Sequence, residues 1–182
     1  MTHYLAKRDR QWALAAYLSA SVMLLGFVAH LLMVSTTSPA SRHGLAAPLF
    51  TVLWWCAAFA LYLALFWLGM GRIRLFLNAH HAIDGSEALF ALKAVVRNNM
   101  VLAYPLLVLG LVTVASALLA IQSFGISGYG CMVAFLVGNV WATRRMKALE
   151  ATVRGLPARD GALAHAQAAI HQRWKKSWWP NF

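Results

Sequence analysis

Residues 46–70 read AAPLFTVLWWCAAFALYLALFWLGM, an apolar run without one charged side chain. A helix rises about 1.5 Å per residue and a hydrocarbon layer is about 30 Å thick, so about 20 such residues cross it. The run exceeds that length, and Pro48 falls in a first helical turn, where its missing N–H is tolerated. Three more windows share its character, at about 12–34, 100–122 and 125–143. Pro105 lies near the start of the third and removes a backbone hydrogen bond there. The expected fold is an all-α integral membrane protein. Four transmembrane helices fill residues 1–143, with a hydrophilic loop over 71–99 and a basic, aromatic-ended tail over 144–182.

Composition points the same way. The 182 residues are 61% hydrophobic and 12% charged, against about 45–50% and about 25% in soluble domains. The net charge is +11 and the pI about 10.5. In a soluble chain that balance points to nucleic acid. Here the cations flank apolar runs and no nucleic-acid motif accompanies them, so nucleic acid is not an expected partner.

The placement of the cations sets an orientation. Lys7, Arg8 and Arg10 precede the first window, and Arg72, Arg74, Lys93 and Arg97 lie in the 71–99 loop. Arg144, Arg145, Lys147, Arg154, Arg159, Arg173, Lys175 and Lys176 follow the fourth. The segment between the first two windows holds only Arg42, and SFGIS, between the last two, holds none. By the positive-inside rule both termini and the 71–99 loop face the cytoplasm of a bacterial-type inner membrane. The first window is longer than a signal-peptide apolar region and no small-x-small site follows it, so it is expected to be retained.

The tryptophans fit this orientation. Trp12, Trp67 and Trp141 fall at the cytoplasmic ends of spans, where indole meets both lipid and water, and Tyr129 sits near the outer boundary. Trp54 and Trp55 lie deep in the second span and point about 100° apart, so they serve different surfaces. Residues 174–182, WKKSWWPNF, combine Trp174, Trp178, Trp179 and Phe182 with Lys175 and Lys176. Such a segment inserts rings among headgroups while each lysine gains about 1 kcal/mol near anionic lipid. The same composition also marks protein interfaces.

Two extramembrane stretches carry helical patterns. DGSE (84–87) reads as a turn and helix start, with Ser86 or Asp84 as cap and Glu87 in the first turn. Leu89, Leu92 and Val96 then share a face, away from Lys93 and Arg97, as in an interfacial helix leading into the third span. IRLFLNAHH, before it, extends the second span. In the tail, Met146, Leu149 and Val153 form one stripe, RGLPARDG breaks it, and Asp160 opens a second helix with Leu163, Ile170 and Trp174 on one side.

Catalytic chemistry is sparse. None of the five acids, Asp9, Asp84, Glu87, Glu150 and Asp160, lies in a span, which argues against an ion-coupled carrier. Of seven histidines only His30 is within one; His43 is on the same outer side. His80 and His81 are adjacent and so do not face each other, and His165 and His171 fall on different helix faces. There is no G-x-S-x-G, P-loop or H-E-x-x-H. Cys56 and Cys131 lie inside apolar runs and read as buried structural thiols. No metal, cofactor or enzymatic activity is expected. Small residues at Gly26, Gly110, Gly128 and Gly138 are expected to bring helices close, with Asn139 hydrogen-bonding across them.

The expectation is a non-catalytic subunit that scaffolds or regulates a larger membrane complex of secretion, conjugation, transport or respiration. Its expected contacts are anionic lipid headgroups and other integral membrane subunits. The alternative is a small self-associating channel or carrier, built as a homo-oligomer. A third is a b-type haem redox subunit, for which His30 and His43 are the only outer-side pair.

Overall fold

The computed structural model describes the backbone of residues 2–36 and 46–176 and the side chains of 11–32, 49–126 and 128–174. Among these the chain is helical and contains no strand. Helix α1 spans Thr2–Thr36, α2 Ala46–Ala79, α3 Ser86–Phe124, α4 Tyr129–Arg154 and α5 Gly161–Lys176. Segments that the sequence divides into span and loop are continuous helices. Residues IRLFLNA carry α2 on to Ala79, and the expected interfacial helix and third span are the single helix α3, which runs through Pro105.

Three helices carry windows long and apolar enough to cross a membrane: Gln11–Leu32, Leu49–Ala79 and Ser86–Phe124. Helix α4 does not. The expected fourth window, 125–143, opens on a 3-10 turn over Gly125–Gly128, and its α-helix starts at Tyr129. The stretch from Tyr129 to Thr143 covers about 22 Å at the α-helical rise, short of about 30 Å, and Arg144, Arg145 and Lys147 follow in the same helix.

The chain divides into two compact units. The first comprises 1–13, 66–104 and 142–182 and has its own apolar core. Ile73 and Phe76 come from α2, Ala88, Leu92, Val96 and Met100 from α3, Val153 from α4 and Ile170 from α5. Leu89, Met146, Leu149, Leu163 and Trp174 pack around them. The stripes expected on the loop and the tail therefore meet one another. Ile83, fully buried, ties two connections together: its N–H donates to the Pro157 carbonyl (2.8 Å) and its carbonyl accepts from the Arg159 N–H (3.1 Å). Helix α5 opens as its sequence requires, with the Leu163 N–H donating to Asp160 Oδ1 at 2.8 Å. Gln167 Nε2 donates to the carbonyls of Leu156 (3.2 Å) and Val153 (3.5 Å) just past the end of α4, where the Val153 carbonyl also accepts the Leu156 N–H (3.3 Å).

The second unit comprises 14–65 and 105–141. On α1 the buried positions are Ala16, Ala20, Met23, Phe27 and His30, an alternating three- and four-residue spacing that defines one helix face. They are joined by Trp55, Ala58 and Tyr62 of α2, Leu109, Val112 and Ala117 of α3, and Phe135 of α4. Leu18, Leu25, Leu53, Leu111, Leu118 and Val137 lie on exposed faces, which in an aqueous protein would be an unusually large apolar surface.

Helix α3 stops at Gly125, whose φ of 57° is the left-handed conformation that ends many helices. A side chain there costs about 1–2 kcal/mol. Gly125→Ala is expected to lower the stability of the protein in detergent by about that amount, measured by thermal unfolding, while Gly130→Ala, in open space on α4, leaves it unchanged.

Candidate functional site

Within the second unit, glycines receive aromatic rings. A Cβ on Gly138 would sit 2.6 Å from Phe59 Cζ, and one on Gly26 would collide with the Trp54 indole, 2.7 Å from Cζ2. Gly110 lies in ordinary contact with Tyr62, at 3.4 Å from Cε2. Gly128 differs, for a Cβ there would strike the backbone of Ala120 and Ile121, so it serves the tight α3–α4 connection. The rings continue into one another. Trp55 stacks on Phe59 (5.1 Å between centroids), and Phe59 and Tyr62 both lean on Phe135. Trp54 stacks on Phe50, which in turn contacts His30. The adjacent tryptophans thus serve different neighbours, as their angular offset requires.

Several polar side chains of this unit pair across helices or back onto their own helix. Tyr62 donates to Asn139 Oδ1 at 2.6 Å, joining α2 to α4. His30 Nε2 and Thr51 Oγ1 are hydrogen-bonded at 3.0 Å, joining α1 to α2. Thr113 donates back to the Leu109 carbonyl at 2.6 Å. Gln122 is exposed and Asn139 reaches Tyr62. The thiols are free, and Cys56 lies on an exposed face, contrary to its expected burial.

Charge is sorted between the two units. Every Asp, Glu, Lys and Arg of the sequence except Arg42 falls in the first unit. The four points where the chain passes from one unit to the other are 13/14, 65/66, 104/105 and 141/142, flanked by Trp12, Trp67, Tyr104 and Trp141. Trp12, Trp67 and Trp141 are exposed, and the Arg74 guanidinium lies 5.9 Å from the Trp67 ring, within cation–π reach. Trp174 packs against the core of the first unit and stacks on His171 (6.0 Å, 16°). The side chains of Lys175 and Lys176, and residues Trp178, Trp179 and Phe182, lie outside the described residues. So does His43.

No family model matches the chain, and no curated protein or solved structure does. Among the described residues no three His, Cys, Asp or Glu side chains converge as metal ligands.

The sequence reading omits Gln167 and weighs His171 only against His165, yet both are buried on α5. Their signal was present: they share the register of Leu163, Ile170 and Trp174, the apolar face of that helix. Burial, and then the nearby Arg154, hold the His171 ring below the ordinary histidine range. Glu150, one turn before Arg154, is pushed up by burial, with Arg154 and Lys147 opposing.

The packing predicts coupling. Gly138→Ala is expected to cost about 1–3 kcal/mol of stability in detergent by overpacking against Phe59, and a Phe59→Leu background is expected to relieve most of it. Additive losses in the double variant would show that the ring and the glycine do not meet.

A pH dependence follows from His171. Its unfolded ring takes a proton near pH 6.5, while the folded ring, held lower, does not. Stability is therefore full above pH 6.5 and falls as pH drops through 6.5 toward the folded value. Glu150 works in the opposite sense at lower pH. Thermal unfolding between pH 7.5 and 5.5 is expected to fall more steeply in the parent than in His171→Gln.

Proposed function

We propose that this protein is a non-catalytic inner-membrane subunit with four spans and both termini in the cytoplasm, which scaffolds or regulates a larger membrane assembly. The carrying observation is the sorting of charge: one unit is free of Asp, Glu and Lys and has Arg42 as its only Arg, and the other holds the remaining charged residues around its own core. Hydrocarbon tolerates the first and rejects the second. Chain order supports four passes. Residues 14–65 and 105–141 each leave the charged unit and return to it, which a helical hairpin entering from one side does. On this reading α4 crosses as the short arm of the α3–α4 hairpin, beginning at the 3-10 turn. The exposed Trp12, Trp67 and Trp141, beside three of these passage points, suit a headgroup layer.

Partners of two kinds fit. Exposed apolar faces of α1, α2 and α4 suit lipid or the helices of other integral subunits, and the basic unit suits anionic headgroups or an acidic protein surface. Inward-turned polar groups leave the exposed faces of the second unit mostly apolar, which favours a scaffold over a self-associating pore.

Gentle solubilisation from the native membrane, followed by identification of co-purifying chains, tests this. A reproducible set of integral membrane partners is the expected result; the chain alone as a dimer or larger ring would replace the proposal with the pore or carrier. For topology, a fluorescent protein fused after residue 182 is expected to fluoresce in the cytoplasm and alkaline phosphatase inserted within 37–45 to be active outside. The reverse pattern would overturn the orientation.

A further inference from the structure

Where α5 lies along the end of α4, Arg154, Ala164, Gln167, Ala168, His171 and Gln172 enclose a groove of about 310 Å³. Its floor is small and apolar, from two alanines. Its polar groups are donors or rings: the exposed guanidinium of Arg154, the exposed amide of Gln172, and the imidazole of His171. Gln167 is committed elsewhere, its Nε2 bound to the Val153 and Leu156 carbonyls. His171 is only 7% exposed, yet its Nε2 has no hydrogen-bond partner. A buried ring nitrogen in that condition is costly unless something bonds to it.

The chemistry of the lining selects the ligand. No carboxylate lines the groove, and the nearest acid on α4, Glu150, lies one turn away. A guanidinium fork binds two oxygens of one anion at once, and an amide and an imidazole on the facing helix supply further donors. A phosphoryl group presents three strong acceptor oxygens to such a set. A cation has no anionic ligand here, and a purely apolar ligand leaves His171 unsatisfied.

We propose that the Arg154–His171–Gln172 groove binds a phosphoryl group, carried either by a phosphate-monoester lipid headgroup or by free phosphate. The site deepens the proposed role of the basic unit at the membrane surface, and its lipid source rests on that reading.

The test uses the full chain in a phosphate-free maltoside detergent with its histidines isotope-labelled. The His171 ring resonance is followed while inorganic phosphate is added at constant ionic strength, and separately while phosphatidic acid is added to the micelles, with chloride as control. A saturable shift is expected with at least one phosphate probe. Arg154→Gln is expected to weaken it at least about tenfold, the loss of one charge-assisted contact. Arg144→Gln, exposed on α4 but outside the groove, is expected to leave it unchanged. A response to phosphatidic acid alone assigns the lipid source, and a response to inorganic phosphate alone a soluble one. Absence of any shift beyond chloride, or equal weakening by both arginine variants, overturns the site. Helical content of Arg154→Gln by circular dichroism separates lost binding from lost folding. A defined set of co-purifying partners without a phosphate response would sink the groove and keep the subunit; a phosphate response in a chain that purifies alone would do the opposite.

Discussion

A helix in hydrocarbon has its backbone hydrogen bonds satisfied within itself and gains nothing by exchanging lipid for leucine. What remains to hold helices together is fit and the occasional hydrogen bond. On the proposed membrane reading, that constraint organises the second unit. Its contacts are rings seated on glycines, Phe59 on Gly138 and Trp54 on Gly26, together with the Tyr62–Asn139 and His30–Thr51 bonds. Each of these is specific to one register. A leucine stripe would pack about as well after a shift of one turn, whereas a phenyl ring over a glycine does not.

The first unit obeys different physics. Ile73, Leu92, Val96 and Val153 are withdrawn from water, and each such burial is worth about 1.5–3 kcal/mol. Continuous helices serve both regimes, since α2, α3 and α4 contribute to both units. The connections inside the first unit are fixed by backbone bonds rather than by length. Ile83 bonds to Pro157 and Arg159, so the segment after α2 is pinned to the one between α4 and α5. Once those connections are joined, the Asp160 cap sets where α5 begins, and the spacing along α5 puts Ile170 in the core and Gln167 and His171 at its edge.

The sequence made some of this readable and hid the rest for physical reasons. Apolar length alone locates α1, α2 and the long apolar part of α3, because the need for about 20 apolar residues leaves few other readings. The stripes at Leu92–Val96 and Met146–Val153 were readable by period. That they face each other was not, because a period gives a face and not its neighbour. Hydropathy opens the fourth window at Gly125 because it measures apolarity and is blind to the left-handed turn at that glycine; the α-helix begins at Tyr129. The small residues point to close backbone approach. Their actual occupants, Trp54 and Phe59, sit on other helices, and no local pattern pairs residues across helices. The role of His171 is hidden when it is set beside His165, and emerges only beside Gln167, Ile170 and Trp174, whose spacing it shares.

The distribution of polar groups bears on what such a molecule can do. A pathway for solute or protons needs polar groups that remain available along one surface, and in membranes those groups are commonly carboxylates held at a cost. In the second unit the hydroxyl of Tyr62 is bound to Asn139, His30 to Thr51, and Thr113 to its own helix. Bonds of this kind contribute on the order of 0.6 kcal/mol each in a membrane setting, enough to fix a register. Breaking them to pass a solute would forfeit that register. Arg154, Gln172 and the His171 ring, by contrast, line a groove of the first unit. On the proposed reading, recognition belongs to the charged unit, and the other, whose one charged residue is Arg42, supports it.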